Sequence, residues 1–458
     1  MKRVSTGIAG LDRILEGGLI PSSAYLLRGG PGLGKTTLGL QFLAAATAAE
    51  NSLFIGFQES DERLKQNARA IGLDVSGIHF LNLTPDEQFF KEHESYDVFS
   101  STEVEQAPIA DSIVESVERL RPGRVFVDSF TQLRFLTADV FQYRKEVLSF
   151  ISFLTQRGAT VLFTSEHSES TPDDDLQFLA DGVISLSRNV MGQELCVQKF
   201  RGSGYLKDGH QMRNGPTGVE VFPRPVPPRE ELVTGRFSPV STGVESLDNL
   251  LHGGLEMGTI TMITGPSGVG KSTLGSCIAA EVAQQLGHVA LYLFEEEASS
   301  YLYRAGQLDI RLQSAIDAER LSLEQIEPMQ YLADEFASKV YDDVMKHHTR
   351  LVVFDSTAGF QLTLLEESVQ SRLHALAKSL SRINISVILI NETSALYGET
   401  GISEKGISYL SDNVLALSYD RSDESRSTIA VMKKRLSDFE RKPSEYVIGP
   451  HKVQAIPM

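Results

Sequence analysis

Two glycine-rich loops of one pattern, 236 residues apart, constrain this chain more than any other feature. The first reads Gly29-Gly30-Pro31-Gly32-Leu33-Gly34-Lys35-Thr36, the second Gly265-Pro266-Ser267-Gly268-Val269-Gly270-Lys271-Ser272. Both satisfy G-x-x-x-x-G-K-[ST], follow a short apolar run and precede a helix-like run. Glycines let the backbone curl so that successive N–H groups face phosphate oxygens, and the helix N-terminus adds positive potential. The pattern therefore predicts two nucleoside triphosphate sites, formed by Gly32, Leu33, Gly34, Lys35, Thr36 and Thr37 and by Gly268, Val269, Gly270, Lys271, Ser272 and Thr273. The lysines reach the β- and γ-phosphates, and the Thr36 and Ser272 hydroxyls suit a Mg²⁺ ion.

The loops belong to a longer repeat. Ser5-Thr6-Gly7-Ile8, Leu11-Asp12 and Gly17-Gly18-Leu19 recur as Ser241-Thr242-Gly243-Val244, Leu247-Asp248 and Gly253-Gly254-Leu255 at the same offset. A period this long marks duplicated domains rather than a solenoid, each large enough for its own core. Residues 1–222 and 238–458 are read as the two domains. A spacer at 223–237 opens with Pro223-Arg224-Pro225-Val226-Pro227-Pro228, and proline favours an extended, semi-rigid connection.

Short apolar strands alternate with helices. Ala24–Arg28, Leu53–Phe57, Arg124–Asp128 and Thr160–Thr164 read as strands, and Thr37–Ala49 as the helix after the first loop. Val140, Arg144, Val147, Leu148, Ile151 and Leu154 mark one face of another helix. The fold class is α/β: two tandem P-loop domains, each a mostly parallel twisted sheet covered by helices on both faces.

Each site also needs an acid for the magnesium shell. Asp128 closes Val125-Phe126-Val127 and Asp355 closes Leu351-Val352-Val353-Phe354, each followed by serine. Hydrolysis needs a group to orient or deprotonate water. Glu59, within Phe57-Gln58-Glu59, and Glu295 and Glu296, within Phe294-Glu295-Glu296-Glu297, stand at the end of the next strand. Spacing alone leaves Glu59 matched to either Glu295 or Glu296. Gln58 can orient water but cannot accept its proton.

Composition narrows the partners. With 43 Lys+Arg against 60 Asp+Glu, the net charge is −17, which argues against nucleic acid and anionic membrane. Two distant cysteines, Cys196 and Cys277, fit a reducing compartment. No run of about 18 apolar residues is present. The reading is a cytoplasmic protein with no membrane partner.

These stretches resemble the KaiC family of tandem RecA-type ATPases, together with Asn67-Ala68-Arg69-Ala70-Ile71-Gly72, Val127-Asp128-Ser129 and Lys199-Phe200-Arg201-Gly202-Ser203. The resemblance implies an ATP- and Mg²⁺-dependent ring of six identical subunits, with nucleotide between neighbours and an unidentified signalling partner. It implies that Lys199 and Arg201, and Lys433 and Arg435 in the second domain, act on the neighbouring subunit's site. It also implies self-phosphorylation in the second domain, where Ser408-Tyr409 occupies the place of the family's Ser-Thr pair and leaves Ser408 as the acceptor. The first domain has Gln177 and Phe178 there, without an aliphatic hydroxyl. The end at Ile456-Pro457-Met458 is expected to leave no tail for an activator, which argues against oscillator behaviour. Two other functions fit a RecA-type chain: a DNA-dependent motor, disfavoured by the acidic charge, and a nucleotide-gated scaffold with little turnover. No Asn-Lys-x-Asp guanine-reading motif occurs.

Overall fold

The computed structural model describes residues 2–83, 102–131, 140–165, 174–189, 192–226, 237–363, 369–393, 411–420, 423, 426–449 and 452–457. The chain separates into two compact units, Met1–Arg224 and Pro225–Met458.

In the first unit the strands are β1 (Ala24–Gly29), β2 (Ser52–Gly56), β3 (Ile78–Asn82), β4 (Arg124–Asp128), β5 (Thr160–Ser165), β6 (Gly182–Asn189), β7 (Gly192–Phe200), β8 (Gly209–Gly215) and β9 (Gly218–Phe222). They form one sheet in the order β3-β2-β4-β5-β1-β6-β7-β8-β9. Pairings from β3 through β6 are parallel and those from β6 to β9 antiparallel. The second unit pairs β10 (Pro239–Val240) with β11 (Leu255–Glu256). Its main sheet contains β12 (Ile260–Gly265), β13 (Val289–Leu293), β14 (Leu321–Gln325), β15 (Leu351–Asp355), β16 (Ser386–Glu392), β17 (Asn413–Tyr419), β18 (Ser427–Lys434), β19 (Ser444–Gly449) and β20 (Lys452–Pro457). The order β14-β13-β15-β16-β12-β17-β18-β19-β20 repeats the first topology strand for strand.

Both faces of each parallel region are buried, as the near-continuous apolar strands require. In β4, Phe126 joins one core cluster while Val125 and Val127 join the cluster on the opposite face. In β13, Leu291 and Leu293 divide from Ala290 and Tyr292 in the same way. The loop helix lies close against the sheet at Gly39, where an added Cβ would meet the Phe126 ring at 2.1 Å.

The repeated Ser-Thr-Gly…Leu-Asp segment is a turn clamp. Asp12 accepts from the Thr6 backbone N–H and the Thr6 hydroxyl, both at 2.7 Å, and from Ser5 Oγ. Asp248 repeats this with Thr242 at 2.8 and 2.7 Å and Ser241 at 2.6 Å.

One element departs from the sequence reading. The first loop helix is Lys35–Ala44, not a run to Ala49, whereas its counterpart extends over Lys271–Gln285. Side chains take its last-turn carbonyls: Arg124 Nη1 donates to Phe42 O at 2.8 Å and Ser52 Oγ to Leu43 O at 2.9 Å. These tertiary bonds override the helix propensity of the alanines that follow.

Candidate nucleotide sites

Each loop turns at a left-handed glycine that caps the following helix, Gly34 at φ 91° and Gly270 at φ 102°. A Cβ on Gly34 would lie 2.6 Å from Asn214 Oδ1, and one on Gly270 would lie 2.4 Å from Ile448 Cδ1. The antiparallel flank thus presses on the loop, and only glycine satisfies both the dihedral and the space. Gly32 and Gly268 are likewise left-handed. Leu33 and Val269 are buried among the core side chains, so they anchor the loop and offer a ligand only their backbone. Thr37 is half-buried and Thr273 buried in the first turn of their helices.

In the first unit a cavity of about 480 Å³ opens over the loop, lined among others by Lys35, Thr36, Gln58, Glu59, Asp128 and Asn214. Thr36 Oγ1 donates to Asp128 Oδ2 at 2.6 Å, and Thr164 Oγ1, from β5, donates to Asp128 Oδ1. Lys35 Nζ rests on the carbonyls of Gly29 and Gly30 at 2.7 and 2.9 Å. A larger cavity, about 600 Å³, lies in the second unit behind Cys277 and Glu281; no residue of the Gly265–Ser272 loop lines it.

The second unit repeats the arrangement with different support. Lys271 Nζ donates to Pro266 O at 2.7 Å, and burial lowers its pKa. Burial raises the Asp355 carboxyl to about 6, and a hydrogen bond from Ser272 offsets part of that rise. Asp355 Oδ2 is buried without a hydrogen-bond partner among the described residues. Ile390 occupies the place of Thr164 here, in register beside Asp355, so the supporting hydroxyl is missing. A divalent cation would satisfy this orphaned oxygen, and a hydroxyl beside a carboxylate is a donor set suited to Mg²⁺. No group of three or more His, Cys, Asp or Glu that could hold a metal occurs among the described residues. A Mg²⁺ ion here would therefore depend on nucleotide phosphates for much of its shell.

The glutamate register is resolved by the backbone. Phe57 N donates to Asp128 O at 3.1 Å and Phe294 N to Asp355 O at 2.9 Å. Gln58 therefore matches Glu295, and Glu59 matches Glu296. Ser356 Oγ donates to Glu295 Oε1. Its counterpart, Ser129 Oγ, is buried without a partner among the described residues. Glu296 is held by Arg304 Nη2 at 2.8 Å, and the Arg304 guanidinium lies 5.0 Å from the Tyr301 ring centroid. Tyr301 OH in turn accepts from Ser276 Oγ at 2.8 Å and donates to Ser272 O at 3.3 Å. The sequence reading noted Ser129 and Ser356 only as the residues after the acids, without a role, and missed Thr164, Tyr301 and Arg304. Arg304 stands at the place of Asn67 on the helix after the glutamates.

The Lys-x-Arg segments end β7 and β18, each just past a bulge that re-aims the strand. Lys199 Nζ donates to Ala180 O at 2.7 Å and Gln177 O at 2.9 Å, and Lys433 Nζ to Ser411 O at 2.6 Å. Burial lowers the pKa of both lysines. Arg201 pairs with Asp181 at 3.8 Å and Arg435 with Asp412 at 3.2 Å, with both arginines largely exposed. Exposed pairs of this kind contribute little stability. The Ser408-Tyr409 segment lies outside the described residues, whereas Gln177 and Phe178 sit on the helix Asp174–Leu179. No helix among the described residues is long and apolar enough to cross a membrane.

Comparison with known proteins agrees with this geometry. The family model described as "ATPase: KaiC" matches residues 4–226 and again 240–458. The circadian clock protein KaiC2 of Synechocystis sp. is 24% identical over 98% of this chain and 81% of its own. The circadian clock oscillator protein KaiC of Prochlorococcus marinus subsp. pastoris is 24% identical over 98% and 89%. That of Thermostichus vulcanus is 26% identical over 98% and 88%. With two matches that together span nearly the whole chain, each on a unit carrying its own phosphate loop, this protein belongs to the KaiC family of ATPases.

Proposed function

We propose that the chain is a Mg²⁺-dependent ATPase that works as a homohexameric ring with a signalling role in the cytoplasm. The observation that carries this reading is the corner formed by Lys35, Thr36 and Asp128, where hydroxyl and carboxylate meet at 2.6 Å beside the loop. Lys35 and Lys271 hold the β- and γ-phosphates. Thr36 with Asp128, and Ser272 with Asp355, hold the metal, which when bound neutralises charge on the phosphates. Glu295 takes the proton of the attacking water, oriented by the Ser356 hydroxyl. Glu296, tied to Arg304, shapes the site. Gln58 can only orient water, so Glu59 is the base available to the first unit. Arg201 and Arg435, with Lys199 and Lys433, complete a neighbour's site, because a guanidinium in trans stabilises charge on the transferring phosphoryl group.

Self-phosphorylation of Ser408 belongs to the same reading. It is motivated by the matched position in the sequence and by the complete glutamate pair of the second unit. Light scattering with and without Mg-ATP tests the ring; a strict monomer at saturating Mg-ATP rejects it. ATP hydrolysis measured against Mg²⁺ concentration tests the metal, and magnesium-independent turnover overturns that part. Phosphopeptide mass spectrometry, with Ser408→Ala as control, tests the kinase output. An unmodified Ser408 after many turnovers leaves an ATPase alone.

A further inference from the structure

A second cavity, about 450 Å³, adjoins the first unit's phosphate loop on the β6–β7 flank. Neither Lys35, Thr36 nor Asp128 lines it. Its polar lining comes from Arg28 on β1, Ser185, Ser187 and Arg188 on β6, and Gln198 on β7, with no Asp or Glu among the described lining residues. In a chain of net charge −17, two arginines among the described lining of one pocket run against composition. The parallel register sets Arg28 beside Ser185. The β6–β7 bulge leaves Gln198 without a cross-strand partner, between Val197 and Lys199. Ser185 Oγ is buried and has no hydrogen-bond partner among the described residues. Buried hydroxyls are nearly always paired, and an acceptor oxygen in the cavity would pair this one.

The second unit lacks this donor set. At the matching strand positions it carries Thr264, Ala416, Ser418, Tyr419 and Met432. Tyr419 OH there donates to the loop carbonyl of Ser267 at 3.2 Å, so the tyrosine leans on the loop where the first unit has an arginine.

We propose that the first-unit cavity is an oxyanion site for a small free phosphate, separate from the nucleotide cleft. Guanidinium groups suit phosphate because their fork of donors matches its oxygens. Ser185 and Gln198 supply neutral donors beside them. The floor of the cavity is Gly29, Gly30, Pro31 and Leu33, the start of the phosphate loop. An occupant therefore steadies the same backbone on which Lys35 Nζ rests, which gives the first unit an input that the second does not share.

The test uses the full chain with both loops saturated by Mg²⁺ and a non-hydrolysable ATP analogue, so it does not depend on turnover. Inorganic phosphate is titrated calorimetrically at constant ionic strength. Wild type shows saturable binding. The exchange Arg28→Thr with Arg188→Tyr, which installs the second unit's residues, weakens it about tenfold or more, and Ser185→Ala weakens it by a few fold. Fluorescent-nucleotide affinity stays unchanged. Arg188 is exposed, so Arg188→Glu alone gives the same loss if the double exchange unfolds the chain. Phosphate binding of equal strength in wild type and Arg188→Glu, or no saturable binding by wild type, overturns the proposal.

Discussion

The two units share a topology and differ in the chemistry at its centre. Where the second has Glu295 accepting from Ser356, the first has Gln58 and a serine, Ser129, whose hydroxyl meets no partner among the described residues. Where the second ties Glu296 to Arg304, the first has Asn67. Where the first steadies Asp128 with Thr164, the second has Ile390 and a buried, orphaned oxygen on Asp355. The comparison teaches that duplication kept the frame and varied the polar support at its centre. In the proposed reading, one copy better supports the acid offered to the metal and the other the carboxylate offered as base.

The largest expected effect falls on that base. In a Lys35→Ala chain, Glu295→Gln should lower kcat for ATP about 100-fold, the scale of a lost general base, with KM little changed. Glu296→Gln should cost much less, because Arg304 already holds that carboxylate. If the two losses are equal, the division between the glutamates is wrong. Next, Lys271→Ala should reduce turnover about tenfold while Lys35→Ala reduces it about twofold, since the lysine of the more competent site matters more. Equal losses in steady-state assays would show that Gln58 is kinetically silent.

A pH comparison sharpens the contrast between the acids. The Asp355 carboxyl titrates near 6 in the folded chain, above its ordinary value of 3.8, because burial penalises the charge. Folding therefore favours its protonated form: that stabilisation is complete below about pH 4 and lost as pH rises through 6. Asp355→Asn should raise the thermal midpoint about 3 °C at pH 7.5, and the gain should vanish below about pH 4. A gain that persists at low pH would locate its cause elsewhere. The smallest effects concern the serines. Ser129→Ala should stabilise by about 1 kcal/mol, since it removes a buried hydroxyl that has no partner among the described residues, whereas Ser356→Ala should destabilise by a similar amount. Denaturant melts of both variants decide this, and opposite signs are the expected result.

Much of this was legible because periodic and backbone-dictated features leave marks on sequence. The phosphate loops, the strand-terminal Asp128 and Asp355 and the two-faced sheet are written in glycine spacing and apolar runs. The end of the loop helix at Ala44 was not, because Arg124, 82 positions along the chain from Phe42, decides it. Thr164 was silent for the same reason, and Ser356 was visible only as the residue after Asp355: an ordinary hydroxyl becomes informative only when folding sets a carboxylate beside it. The register of Gln58 against Glu295 needed the paired backbone bonds to Asp128 and Asp355.

The turn clamps at Asp12 and Asp248 carry one more consequence. They fix the entry of each unit through bonds between Ser5, Thr6 and Asp12, or Ser241, Thr242 and Asp248, using no residue of the loop, the glutamates, Asp128 or Asp355. Instructions for shape and instructions for reaction thus occupy separate letters of the gene. A copy built this way can exchange its catalyst for a sensor by single substitutions and still fold by the inherited plan.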